Sequence, residues 1–138
     1  MKIKRCENCK SVFTNRWQLK YCSNLCQFEA QYKKYIKEWK LGKKDGNIGV
    51  HTRNLSGHLK KYLRDTYGDQ CSICGWNKEH PTSKKVPLEI DHIDGNAENN
   101  SENNLRLLCP NCHALKPNFK NFNKGNGRQW RSKKYVKN

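Results

Sequence analysis

"KVPLEIDHIDGNAENNSENNLRLLCPNCH", Lys85 to His113, is the stretch on which the reading of this chain turns. Val86 to Ile93 is rich in β-branched and apolar residues and reads as a strand. "DGNAENNSENN" has no apolar residue but Ala97, which is loop composition. "LRLL", Leu105 to Leu108, reads as a second short strand. "CPNCHALK" then opens a helix that Pro117 curtails, because proline pushes the residue before it out of the helical region. The order is strand, loop, strand, helix. At its end stands Cys109-x-x-Cys112 followed by His113, a pattern open to three readings. It can attach a c-type haem with His113 as axial ligand, or bind zinc with His113 as a ligand. Or the cysteines hold a structural zinc and leave His113 to a different metal.

The other cysteines bear on that choice. Eight of them fall into four close pairs, Cys6/Cys9, Cys22/Cys26, Cys71/Cys74 and Cys109/Cys112. With 34% hydrophobic residues in 138, the chain is expected to need staples. "MKIKRCENCK" holds no apolar run resembling a signal peptide, and no stretch approaches transmembrane length. The expectation is a cytoplasmic protein with no membrane association, whose thiols bind metal rather than form disulfides. Cys6, Cys9, Cys22 and Cys26 then make one structural zinc site, and Cys71, Cys74, Cys109 and Cys112 a second. The 34 residues separating the later pairs add little closure entropy. With a second pair ready as zinc partner and Met1 the one methionine, the haem reading falls away. A redox Cys-x-x-Cys role lacks the βαβ pattern around it.

Net charge is +16, unevenly spread. Residues 1–41 hold ten Lys and Arg against three acids, whereas residues 71–112 hold four against six and residues 113–138 hold eight against none. A slightly acidic centre between basic arms suits a protein that grips a polyanion and holds a cation in the middle. The simplest division is a zinc knuckle with a basic helix over 1–41, a linker over 42–53, a domain with the second cysteine quartet over 54–117 and a basic arm over 118–138. Ser23 caps the first helix, to about Lys40. Its apolar stripe is Leu25, Phe28, Tyr32, Tyr35, Ile36 and Trp39, with Lys33, Lys37 and Lys40 among the lysines opposite. A second helix, Ser56 to Tyr67, stops at Gly68. Gly42 to about Arg53 shows no periodicity. Lys116 precedes a tail that carries Lys120, Lys124, Arg128 and Arg131 among Phe119, Phe122, Trp130 and Tyr135, and these five cations beside the rings suit phosphates and bases.

Asp91 and His92 end the first strand, opposite the helix that carries His113. One carboxylate and one imidazole make an open site for a hard divalent ion, completed by water and a substrate phosphate. His92, with an unperturbed pKa of about 6.5, is the base to take a proton from water. In a regular strand Asp91 and His92 face opposite sides, so the strand is expected to twist or end there. The chemistry implied is metal-assisted phosphodiester hydrolysis.

"CSICGW", "PLEIDHIDGN" and "NNLRLLCPNCH", with the spacings joining them over residues 71–117, resemble the HNH endonucleases. The preceding helix and "NKGNGR" are similar, more loosely, to phage enzymes of that family, including free-standing homing endonucleases. The resemblance implies a small zinc-stapled α+β protein with a ββα-metal core, preceded by helices and a zinc knuckle. His92 would be the general base, and Asp91 and His113 would hold one Mg²⁺ or Mn²⁺. Asn104, taken as the motif asparagine because it precedes Leu105, would bond across the loop and orient His92. The partner would be double-stranded DNA, cut to 5′-phosphate and 3′-hydroxyl ends, in the host cytoplasm if a phage encodes the chain. One active centre per chain implies that a lone monomer would nick, and that cutting both strands takes a second centre or a second visit; the oligomeric state stays open. Three further readings compete with homing: a restriction enzyme, a packaging nuclease, and a zinc-stapled DNA-binding protein that does not cut.

Overall fold

A computed structural model describes residues 1–48 and 54–120. The chain divides into two compact units, Met1–Lys44 and Asp45–Asn138. No helix among the described residues is long and apolar enough to cross a membrane.

The first unit begins with an antiparallel pair, β1 (Lys4–Arg5) and β2 (Val12–Phe13), with Lys4 opposite Phe13 and Arg5 opposite Val12. Two residues per strand cannot stand alone in water. The turn between them is closed by Cys6, whose N–H donates to Ser11 O at 2.9 Å and whose carbonyl accepts from Lys10 N at 3.0 Å. The Lys4 ammonium ties down the next loop by donating to the carbonyls of Asn15 at 2.8 Å and Gln18 at 2.9 Å. Helix α1 (Asn24–Lys40) begins as expected at Ser23, whose hydroxyl accepts from Cys26 N at 3.2 Å. It ends with Lys37 and Lys40 beside the negative end of its dipole.

The apolar stripe of α1 behaves differently from its sequence reading. Ile36 and Trp39 are buried, whereas Leu25 is 80% and Phe28 63% exposed. The first turn of α1 is occupied with carrying Cys26 into the cysteine cluster beside Cys22, which precedes the helix, and that small finger has too little mass to cover them.

The second unit starts earlier than the sequence suggests. Gly46 and Asn47, expected in a linker, pack against this unit's core. Gly46 is buried with φ +84°, Ser56 N donates to its carbonyl at 2.8 Å, and Asn47 bridges to Leu55. Residues 49–53, the rest of that predicted linker, lie outside the described residues. Helix α2 (Gly57–Tyr67) is capped by Ser56, whose hydroxyl accepts from Leu59 N at 3.1 Å, and stops at Gly68. It lays the fully buried Leu59 and Leu63 on the hairpin of β3 (Glu89–His92) and β4 (Leu105–Leu108). These strands run antiparallel, pairing Glu89 with Leu108, Ile90 with Leu107, Asp91 with Arg106 and His92 with Leu105.

β3 is shorter than the predicted 86–93. Val86 is buried, but its carbonyl accepts from Leu88 N at 2.9 Å and from Arg64 Nη2 at 3.2 Å, so these residues turn instead of pairing. Pro87 lacks the N–H a ladder needs. Helix α3 (Pro110–Ala114) follows β4 directly, capped by the Cys109 sulfur, which accepts from Cys112 N at 3.4 Å. The first of the later cysteine pairs is stitched to the hairpin by Ser72 N, which donates to Leu107 O at 2.8 Å. Cys71, Leu108 and Cys109 form a buried cluster with Trp76 and Leu88 packed against it.

Candidate active site

The eight cysteines are free thiols gathered into the two expected quartets, with all four sulfurs of each within 4.8 Å of one another. Four sulfurs around one tetrahedral zinc, each bonded at about 2.3 Å, stand about 3.8 Å apart. The separations Cys9–Cys22 (3.6 Å), Cys22–Cys26 (3.5 Å) and Cys74–Cys109 (3.8 Å) fit such an ion. The protein also prepares thiolates. Burial raises the Cys6 thiol, but backbone amides of Cys9, Cys22 and Asn8 outweigh it and draw it down to about 6. Cys71 follows the same pattern, its burial outweighed by the amides of Cys74, Cys109 and Ile73, and also lies at about 6. Cys22 is pushed up to about 12, first by Cys26 and then by Cys9, and Cys112 likewise, first by Cys74. Each quartet therefore crowds more negative charge than its own dipoles stabilise, and a bound cation relieves that crowding.

His92 is the last residue of β3, and its Nε2 lies 2.7 Å from Asn100 Oδ1. Asn100 is buried, and its amide nitrogen donates to Asp45 O at 2.8 Å and to Asn47 Oδ1 at 3.2 Å. Of the adjacent pair Asn103 and Asn104, Asn104 is the one turned inward. Its side chain does span the loop. Oδ1 accepts from Asp94 N at 3.0 Å, and Nδ2 donates to Asp94 Oδ1 and to Asn99 O, both at 2.8 Å. The residue expected to orient His92 thus fixes the backbone just beyond it, where Ile93 N also donates to Asn104 O at 2.9 Å. Partial burial raises the Asp94 carboxyl, but bonds from Asn99, Asn96 and Asn104 hold it below its usual range.

Asp91 lies on the other face of the hairpin, since strand side chains alternate and the ladder stays regular to its end. It is 1% exposed. Its Oδ2 accepts from Arg106 Nε at 2.8 Å and its Oδ1 from the Lys116 ammonium. Lys116, expected to contact DNA, is here a buried partner of that carboxylate, its side chain 8% exposed. Burial holds its ammonium below the ordinary lysine range. The reason is local: a carboxylate buried on this face needs compensating cations.

His113 sits in the last turn of α3, with Nδ1 2.5 Å from Glu89 Oε2 and the Phe119 ring edge-on at 5.4 Å. Glu89 and Asp91 are two apart on β3 and share a face, so this edge of the hairpin carries two carboxylates beneath α3. With Nδ1 engaged, Nε2 is the nitrogen His113 has left for a ligand. Among the described residues no third His, Cys, Asp or Glu joins Asp91 and His113 in a closed metal-ligating group. Both oxygens of Asp91 are engaged, by Arg106 and Lys116.

The other expected DNA contacts divide. Lys33 pairs with Glu29 at 2.9 Å and also donates to Asn8 at 3.3 Å. Lys37 and Lys40 lie exposed on α1, and Lys120 stands over the Phe119 ring at 4.9 Å. Lys124, Arg128 and Arg131, with Phe122, Trp130 and Tyr135, lie outside the described residues. Sequence reasoning missed Asn100, Glu89 and Arg106. The run "NNSENN" gives no sign of which asparagines turn inward. Glu89 was readable in principle, at i−2 from Asp91 on the same strand face.

A strand ending in Asp-His, a loop tied by asparagines, a return strand and a helix with one histidine make up the candidate site. Residues 71–119, about a third of the chain, match the family model described as HNH endonuclease. It is also similar to the H-N-H endonuclease F-TflIV of Escherichia phage T5, at 35% identity over 99 residues. That alignment covers 72% of this chain and 40% of the relative, so the chain spans about two fifths of that protein. No solved structure matches the chain.

Proposed function

We propose that this protein is a divalent-metal-dependent endonuclease that hydrolyses phosphodiester bonds of double-stranded DNA, leaving 5′-phosphate and 3′-hydroxyl ends. The observation that carries the proposal is the HNH domain match over 71–119, which spans His92, Asn104 and His113. In this reading the His92 imidazole takes a proton from water as the water oxygen attacks phosphorus and the 3′ oxygen departs. Asn104 holds the Asp94 backbone so that the loop cannot sag across His92. Asp91 and His113 would bind the divalent ion, Lys116 giving way at Asp91. When bound, that ion would offset the charge gathering on the phosphate and the leaving oxygen. The two cysteine quartets would each hold one structural Zn²⁺. The relative's source in a phage fits a phage-type enzyme, for which a homing role in the host cytoplasm is the reading we favour.

One observation favours a rival reading as a DNA-binding module that does not cut: Arg106 and Lys116 already occupy both oxygens of Asp91. Supercoiled plasmid with Mg²⁺, Mn²⁺ or EDTA, beside His92→Ala, separates the two. Metal-dependent open-circle or linear product, lost in the variant, is the expected result. Binding without cutting under every ion, on the plasmid and on the source genome, would establish the rival.

A further inference from the structure

From the contacts of Asn100 we infer that it is a positioning residue for His92, holding the ring as the Nε2–H tautomer with the Nδ1 lone pair facing the reaction. The segment Asp45–Asn47 in turn holds Asn100. The catalytic meaning of this inference rests on the nuclease reading.

Amide oxygen and nitrogen are assigned by their partners. Here the partners leave one solution. Asp45 O is a backbone carbonyl and can only accept, so the Asn100 atom 2.8 Å from it is the NH₂ group. That nitrogen also reaches Asn47 Oδ1 at 3.2 Å. The other end of the amide, 2.7 Å from His92 Nε2, is therefore the oxygen, and an oxygen there requires a hydrogen on Nε2. A neutral imidazole carries one ring hydrogen, so Nδ1 holds the lone pair. When it acts, that pair forms the N–H bond, one O–H bond of water breaks, and the water oxygen closes on phosphorus as the bond to the 3′ oxygen opens. The electron pair of that bond leaves with the 3′ oxygen, which takes a proton from solvent water to become the hydroxyl.

The support behind Asn100 is built, not incidental. Asn100 is buried, and Gly46 approaches it so closely that an added Cβ would stand 3.1 Å from Asn100 Cβ and 3.0 Å from Leu59 Cδ2. The conformation at Gly46, φ +84°, is one that side-chain-bearing residues rarely adopt. A glycine where only glycine fits brings the Asp45 carbonyl to the amide that holds the base. Asn104 does the complementary job on the backbone beyond His92 without touching its ring.

The test is ¹⁵N NMR of the imidazoles at neutral pH in the zinc-loaded full chain, with His92 assigned by its absence in His92→Ala. The expected wild-type spectrum shows a protonated Nε2 whose hydrogen survives exchange with water and an unprotonated Nδ1. In Asn100→Ala that hydrogen should exchange too fast to be seen, and kcat should fall about 10- to 100-fold with KM changed by less than about threefold. Asn100→Asp keeps an acceptor oxygen and should keep the Nε2 hydrogen. A wild-type His92 protonated on Nδ1 overturns the inference without any variant, so it stands open to refutation even if Asn100→Ala fails to fold. So does an Asn100→Ala protein that retains both the hydrogen and kcat. Cutting unimpaired in His92→Ala would instead refute the role given to His92, while the spectra still decide what holds its ring.

Discussion

Gly46→Ala is the perturbation that most directly tests whether Asp45–Asn47 belongs to the catalytic unit. In a linker this exchange stabilises slightly, by about 0.4–1 kcal/mol, because alanine restricts the unfolded chain. Here two terms oppose that gain. A φ of +84° places the new Cβ against the following carbonyl, at a cost of about 1–2 kcal/mol. The same Cβ would stand 3.0 Å from Leu59 Cδ2, and Leu59 is fully buried, so moving it adds about 1–3 kcal/mol of overpacking. The net expectation is a loss of about 2–4 kcal/mol, or roughly 10–20 °C in Tm for a unit of this size. Thermal and urea unfolding at fixed excess zinc would read it, because bound metal shifts apparent stability. A Gly46→Ala protein as stable as wild type, with an unaltered His92 imidazole spectrum, would refute the reasoning and restore this segment to a linker.

Further expectations follow from individual contacts. Lys116→Met should destabilise the second unit by about 1–3 kcal/mol in urea denaturation, since a buried carboxylate loses one of two cations. It should leave the salt dependence of DNA binding nearly unchanged; a slope reduced by about one would mean that Lys116 neutralises a phosphate. Glu89→Ala should lower divalent-metal affinity or cutting rate about 10- to 100-fold, read by metal titration of plasmid cleavage, because His113 loses the group that orients its ring. Unchanged metal dependence would remove Glu89 from the site. In chelator and reductant, stability should peak near pH 9. The thiols drawn down to about 6, Cys6 and Cys71, contribute stability that is complete above the ordinary thiol value of 9.0 and lost as pH falls through 6. Cys22 and Cys112, raised to about 12, contribute below 9.0 and lose it as pH climbs toward 12. Urea midpoints across pH 5–11 check this, and a steady fall from pH 6 to 9 would contradict it. Finally, a chain beginning at Asp45 should keep residual cutting with a shorter DNA footprint, and an unchanged footprint would show that Met1–Lys44 makes no DNA contact.

Local signals were the legible part of the fold. Ser23 stands just before apolar periodicity and caps α1, and the helix read from Ser56 to Tyr67 begins one residue later with Ser56 as its cap. "LRLL" between an asparagine-rich loop and a Cys-Pro step became β4, with α3 starting at that proline. Where reading failed, a neighbour distant in sequence had decided. Leu25 and Phe28 have helical spacing but no partner surface within their unit to cover them, since periodicity marks a face without saying what meets it. Val86 looks like strand, yet Arg64 on α2 takes its carbonyl.

The candidate site divides the same way. Sequence alone determined the chemical inventory: four cysteine pairs, one Asp-His step at a strand end, an asparagine before the return strand and a histidine behind the last thiol. Spacing along the chain reports those because each belongs to a short local motif. Which nitrogen of His92 is held, by which of several near-identical asparagines, is a matter of direction and distance across eight residues of irregular loop and more than fifty to Asp45. That Lys116 answers Asp91 instead of a phosphate follows from burial on the far face of β3. A buried charge must find a counter-charge wherever the packed chain supplies one, and only the tertiary structure says which residue is near enough to be it.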